Sequence, residues 1–176
     1  MKHEQSDLAD VVIEQARERG WQIASAESCT AGAIGQRLAS AKGASKTYLG
    51  GVIAYTKTCK ERVLGVSAEL LNEPQGAVSQ EVALAMASGV RRLTGAALGV
   101  ASTGVAGPLP DEDHNPVGRV FIAVVGEGDL SEVRRFDFGA IGFEDILHRT
   151  IDAALMMLAH QLLRDSPVIA LAPAAK

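Results

Sequence analysis

Five apolar runs punctuate the chain, and the distances between them are the strongest constraint on its fold. Runs 21–26 (WQIASA), 47–55 (TYLGGVIAY) and 96–102 (AALGVAS) are separated by stretches long enough to hold helices, whereas 120–125 (VFIAVV) and the run carrying Val133, Phe136 and Phe138 are joined by Gly126-Glu127-Gly128-Asp129. Strands linked through helices pair in parallel under a helical cover, and strands linked by a tight turn pair antiparallel. Both hold in an α/β domain, a three-layer α/β/α sandwich around a mixed, mostly parallel sheet.

The intervening stretches carry helical periodicity. Over 5–19, Leu8, Val11, Val12 and Ala16 oppose Glu14, Arg17, Glu18 and Arg19, and Gly20 supplies a stop. A second helix is expected over 30–41 from Ile34 and Leu38, a third over 58–64, and a short segment over 67–73. Ser79 is a good N-cap for a helix bearing Val82, Met86, Val90 and Leu93, and Leu147, Ile151, Ala154, Leu155, Leu158 and Leu162 mark a long last helix. One domain is expected over 1–165, with 166–176 as a poorly ordered tail. Only 4% of residues are aromatic, so the core must be built from Ala, Val, Leu and Ile, which favours close packing of helix on sheet.

Several function classes fit poorly. A net charge of −4 without a basic run argues against nucleic acid as a partner. No apolar run approaches the roughly 20 residues that span a bilayer. The polar start MKHEQSDLADVV is unlike a signal peptide, and the two cysteines, Cys29 and Cys59, suit free thiols in a reducing, cytoplasmic setting. GxGxxG after a strand, GxxxxGK[ST], HExxH and CxxC are all missing, and His3, His114, His148 and His160 have no ligand spacing. Dinucleotide, P-loop and zinc-type motifs therefore all fail. Asp111-Glu112-Asp113-His114 is read as a solvated loop tip in preference to a cation site.

Chemistry concentrates at Ala26-Glu27-Ser28-Cys29-Thr30-Ala31-Gly32, where a strand gives way to a helix. Such a junction presents side chains and free amides at one spot. No G-x-S-x-G elbow surrounds Ser28, and Cys29 reads as a small buried hydrophobe. The remaining base is a lysine: Tyr55 ends the second strand and Lys60 lies in the first turn of the next helix, so both face back toward Ser28. A lysine accepts a proton only when neutral, which requires a dry site or nearby positive charge, here from Lys57 and Arg62. The Gly- and Pro-rich stretch 103–118 is long for a compact domain and reads as a binding loop.

Six ordered motifs carry a family resemblance over about residues 6–163: Ala26-Glu27-Ser28-Cys29-Thr30 followed by Gly32; Gly51-Val52-Ile53-Ala54-Tyr55 with Lys60; Leu64-Gly65-Val66; Gly76-Ala77-Val78-Ser79; Thr103-Gly104-Val105-Ala106-Gly107-Pro108; and Pro116-Val117-Gly118. Together they resemble the C-terminal domain of the competence/damage-inducible protein CinA, whose stand-alone versions are nicotinamide-nucleotide amidohydrolases. The resemblance implies conversion of nicotinamide mononucleotide and water to nicotinate mononucleotide and ammonia, with no cofactor. By motif, Ser28 matches the nucleophile, Lys60 its general base and Tyr55 a tyrosine that assists proton transfer. A small-molecule nucleotide partner and a homo-oligomer follow from the same likeness.

Around that centre, the amides of Cys29 and Thr30 are candidate oxyanion donors, and the loop bearing Thr103, Gly104, Ala106 and Gly107 is a candidate phosphate cradle. Glu27 is a structural or ribose-orienting carboxylate. The chain departs from the family pattern at Ala31, at Lys57 in place of asparagine, at Leu109-Pro110-Asp111-Glu112-Asp113 in place of glycines, and at Gly139-Ala140-Ile141-Gly142-Phe143, where a basic residue facing substrate phosphate is expected. Two readings stay open: a working amidohydrolase, with the family's substrate or a shifted one, or a diverged member that binds a nucleotide or a protein partner without turnover; Lys57 reads equally as a replacement phosphate contact and as a solvated surface charge.

Overall fold

The computed structural model describes residues 7–128 and 130–164, so the tail expected over 166–176 lies outside the described residues. In chain order the elements are α1 (Leu8–Glu18), β1 (Ile23–Glu27), α2 (Ala33–Ser40), β2 (Tyr48–Ile53), α3 (Lys57–Leu64), α4 (Ala68–Leu71), α5 (Gln80–Thr94), β3 (Leu98–Gly104), β4 (Arg119–Val125), β5 (Ser131–Asp137) and α6 (Phe143–Leu163). The sheet runs β2-β1-β3-β4-β5. β1 pairs in parallel with β2 and β3, and β3/β4 and β4/β5 pair antiparallel, so the hairpin predicted from the glycine turn is present in a mixed sheet.

Strand alternation divides the core. Ile23, Val100 and Ile122 face Val12 and Ile13 of α1, Ile34 and Leu38 of α2, and Leu155 and Leu158 of α6. On the opposite face Ala24, Ala26, Ala101 and Ala123 meet Leu64, Val82, Met86 and Val90, the residues of α3 and α5. That second interface is lined almost wholly by alanine on the sheet side, and the helix sits correspondingly close. A Cβ at Gly99 would lie 2.3 Å from the Ala87 carbonyl oxygen, and one at Gly89 would lie 2.1 Å from that of Leu64.

β1 is where the topology turns. The connection from β1 to β2 runs through α2 on one face, and the return from β2 to β3 runs through α3, α4 and α5 on the other. Adjacent parallel strands whose connections leave on opposite faces open a crevice at their carboxyl ends. Ser28 follows β1 and Thr103 lies near the end of β3, so both border it.

Three of the boundary differences from the sequence expectation bear on the site. α2 begins at Ala33 and not at residue 30, because Ala31 (φ 50°) and Gly32 (φ 100°) are successively left-handed and cannot continue a right-handed helix. β2 stops at Ile53, which leaves Tyr55 outside the strand. β3 extends to Gly104, so Thr103 and Gly104 are strand residues and not loop. Leu93, assigned to the apolar face of α5, is 56% exposed. The close α5 contact predicts that Gly99→Ala lowers unfolding free energy by about 1–3 kcal/mol, measured as a shifted urea midpoint at unchanged m-value.

Candidate active site

The site is built outward from the end of β1. Ser28 continues the ladder by donating its N–H to the Ser102 carbonyl at 3.0 Å, while Ala54 N donates to the Glu27 carbonyl at 2.8 Å. The backbone then folds over itself, with Ala31 N donating to the Ser28 carbonyl at 3.1 Å. Both neighbouring strands therefore fix the position of the serine.

Glu27 holds the turn from behind. It is 1% exposed. Its Oε2 accepts from Thr30 Oγ1 (2.6 Å), Gly32 N (3.0 Å) and Ile34 N (3.0 Å), and its Oε1 from Gly35 N (2.7 Å) and Ser25 Oγ (3.1 Å). The carboxylate thus caps α2, satisfying amides that a helix start would otherwise leave free. Thr30 Oγ1 also lies 2.8 Å from Ser102 Oγ. Neither Glu27 nor Thr30 lines the cleft; alternation turns Glu27 toward α2 and the next residue, Ser28, toward the opening.

Lys60 approaches from α3. Thr56 caps that helix through its hydroxyl, and one turn on the lysine side chain is driven inward until it is 1% exposed. Its Nζ is 2.8 Å from Ser28 Oγ, 2.8 Å from the Ala54 carbonyl and 3.2 Å from the Tyr55 carbonyl. An ammonium would donate to all three. A neutral amine has two hydrogens and one lone pair; with both hydrogens given to the carbonyls, the lone pair points at the serine hydroxyl. Burial lowers the lysine pKa to about 8, against the pull of the Cys29 and Cys59 thiols. The sequence suggested that Lys57 and Arg62 would supply this shift. Instead Lys57 is held by Asp113 and Glu112, and desolvation is the cause.

The competing nucleophile is disarmed. Cys29 is 9% exposed, and burial pushes its thiol up to about 12, with Lys60 opposing and Glu27 reinforcing the rise. It stays protonated at neutral pH. Its amide and that of Thr30 donate to nothing among the described residues.

A cleft of about 440 Å³ opens onto Ser28, and Cys29, Tyr55, Lys60, Thr103, Gly104, Ala106 and Gly107 line it. Tyr55 contributes differently from the sequence expectation: its ring is 69% exposed at the rim and its phenol has no hydrogen bond among the described residues, while its carbonyl holds Lys60. In the loop, Thr103 Oγ1 donates to the Ala77 carbonyl at 2.7 Å, and Val105 N is committed to the Arg119 carbonyl at 2.9 Å. The amides of Ala106 and Gly107 donate to nothing among the described residues. Thr56, which sequence reasoning missed, also lines the cleft, as do Val78 of a family motif and Phe143, which stands 52% exposed on the first turn of α6 in the segment where a basic residue was expected. A larger groove of about 740 Å³ lies between α1 and the turn at 42–46, but none of its titratable side chains is buried.

Comparison with known proteins agrees with this fold. A family model described as the CinA C-terminal domain matches residues 5–162. A CinA-like protein of Synechococcus sp. is 45% identical over 155 residues, which is 88% of this chain and 37% of that protein. A putative competence-damage inducible protein of Bacillus velezensis is 45% identical over 136 residues, 77% of this chain and 32% of the relative. The chain thus spans about a third of the length of these curated relatives. A solved CinA superfamily protein from Klebsiella pneumoniae superposes with a TM-score of 0.83 at 32% identity, covering 88% of this chain and 95% of its own. The competence/damage inducible protein of Agrobacterium tumefaciens gives 0.83 at 33% identity, covering 92% and 99%.

The buried lysine has a thermodynamic signature. Its folded pKa of about 8 lies below the ordinary value of 10.5, so between those values the unfolded chain binds the extra proton and stability rises with pH. Denaturant unfolding at pH 7 and pH 10 should show the parent gaining about 2–3 kcal/mol relative to Lys60→Met, in which that titration is absent. An equal stability difference at both pH values would mean that Lys60 titrates normally.

Proposed function

The chain belongs to the CinA C-terminal domain family, and on that premise we propose that it is a serine–lysine amidohydrolase converting nicotinamide mononucleotide and water to nicotinate mononucleotide and ammonia. The observation that carries this reading is the 2.8 Å contact between Ser28 Oγ and a buried Lys60 Nζ clamped by two carbonyls. Ser28 gives its proton to neutral Lys60 as Oγ attacks the carboxamide carbon. The amides of Cys29 and Thr30 receive the oxyanion. Lys60 returns the proton to the leaving nitrogen, the C–N bond breaks, and ammonia departs from an ester on Ser28. Water, deprotonated by Lys60, then adds to the ester carbonyl, and collapse breaks the C–Oγ bond, releases nicotinate mononucleotide and restores the serine proton.

Tyr55 serves this cycle mainly through its carbonyl; a phenol relay to the leaving ammonia requires the exposed ring to turn inward. The amides of Ala106 and Gly107, in residues that line the cleft and without acceptors among the described residues, are the candidate donors for the far end of the substrate. Leu49 and Ile53, 49% and 55% exposed on the edge strand β2, support the homo-oligomer that the family likeness suggests. Among the described residues no helix is long and apolar enough to cross a membrane. A cytoplasmic setting remains part of the proposal. Lys57, engaged by Asp113 and Glu112, does not offer the replacement phosphate contact, and an ammonia assay separates the working amidohydrolase from the second reading, binding of a nucleotide or a partner protein without turnover.

Purified protein should release ammonia from the mononucleotide, and Ser28→Ala and Lys60→Ala should each lower kcat by about a thousandfold or more. The rate constant kcat/KM should rise with pH and level off above an apparent pKa of about 8, because only neutral Lys60 accepts the proton. Turnover surviving in Ser28→Ala, or a flat profile from pH 6 to 9, would overturn the assignment. Tyr55→Phe should cost less than about tenfold in kcat, since the backbone contact is kept.

A further inference from the structure

The charge around the cleft mouth is unlike that of a site built for a dianion. Among the described residues its charged lining side chains, besides Lys60, are Lys57, Asp111, Glu112 and Asp113, with no arginine. The single mouth cation is already engaged: Lys57 Nζ lies 2.8 Å from Asp113 Oδ2 and 3.3 Å from Glu112 Oε1. Counting one positive and three negative charges leaves the mouth at −2 when Lys60 is neutral.

The acidic segment is also firmly seated. Asp111 accepts from Asp113 N (3.1 Å) and Asn115 N (2.7 Å) through Oδ1, and from Asn115 Nδ2 (2.9 Å) through Oδ2. Asn115 is 4% exposed, and its Nδ2 also donates to the Gln75 carbonyl at 3.0 Å. Asp113 rests directly over Gly76, where a Cβ would come within 1.7 Å of Oδ2, so only glycine leaves room for that carboxylate. Gly76 is left-handed as well, at φ 56°. Two separate chain segments, 75–76 and 111–115, thus fit together to set carboxylates beside Lys57.

We propose that Asp111, Glu112 and Asp113 are specificity-determining residues that set the Ser28 cleft against a phosphate dianion, so that a cationic pyridinium carboxamide riboside is a better substrate than its 5′-monophosphate. The loop occupies Lys57 and leaves a field that attracts the cation and repels the phosphate. For turnover this rests on the amidohydrolase reading; for binding it does not.

The test compares nicotinamide mononucleotide with nicotinamide riboside in two formats, kcat/KM of the parent and affinity for Ser28→Ala. The parent should favour the riboside by about tenfold, and raising salt from about 20 to about 200 mM should strengthen mononucleotide binding, because screening relieves repulsion. Glu112→Gln/Asp113→Asn should lower KM for the mononucleotide by about 3- to 10-fold with kcat nearly unchanged, and should weaken the riboside. Preference for the mononucleotide, or salt that weakens its binding, overturns the proposal while leaving the amidohydrolase intact. The expected affinities without ammonia release from either compound sink the amidohydrolase reading and leave the charge selectivity standing. The salt response of the parent decides the matter even if the double variant does not fold.

Discussion

The site depends first on a buried carboxylate that takes no part in the chemistry. Glu27 gathers three amides and two hydroxyls at the end of β1. Without it, the amides of Gly32, Ile34 and Gly35 would be buried or half-buried with no acceptor at the start of α2, a cost of about 1–3 kcal/mol each. Those bonds also fix the left-handed pair Ala31 and Gly32, and hence the angle at which the chain leaves Ser28. Strand alternation does the rest: consecutive residues point to opposite sides, so one strand end supplies both the anchor and the hydroxyl.

Lys60 shows the complementary economy. A lysine in the first turn of a helix ordinarily extends into water, and its burial here is costly. The cost is the source of its usefulness, because desolvation brings the amine toward neutrality without a second cation nearby. The same burial raises the Cys29 thiol, so one dry environment brings the amine toward neutrality and keeps the neighbouring thiol protonated.

The layered fold was legible because it follows from spacing: three helix-separated strands and one glycine turn leave few topologies. The helix periodicities of α1, α5 and α6 were equally plain, since small and apolar residues recur on single faces. The start of α2 was not, because alanine at position 31 gives no sign that it adopts φ 50°. Ser28 and Lys60 were visible as residue types and were paired by family motifs, but the burial of Lys60 depends on α3 folding against α5 and on the carbonyls of residues 54 and 55, and has no local signature. The tie between Lys57 and Asp113 was illegible for another reason. The partners are 56 residues apart, and each alone resembles an ordinary solvated charge.

The clamp on Lys60 is written in main-chain carbonyls. Substitution at Ala54 or Tyr55 changes a side chain and leaves the oxygen that grips the amine where it was. The orientation of the base is therefore insulated from sequence drift at the positions that supply it, and tied instead to the course of the chain over the three residues between β2 and α3. Side-chain changes at 54 and 55 leave this contact as it is, whereas an insertion or deletion there would part Lys60 Nζ from Ser28 Oγ at once.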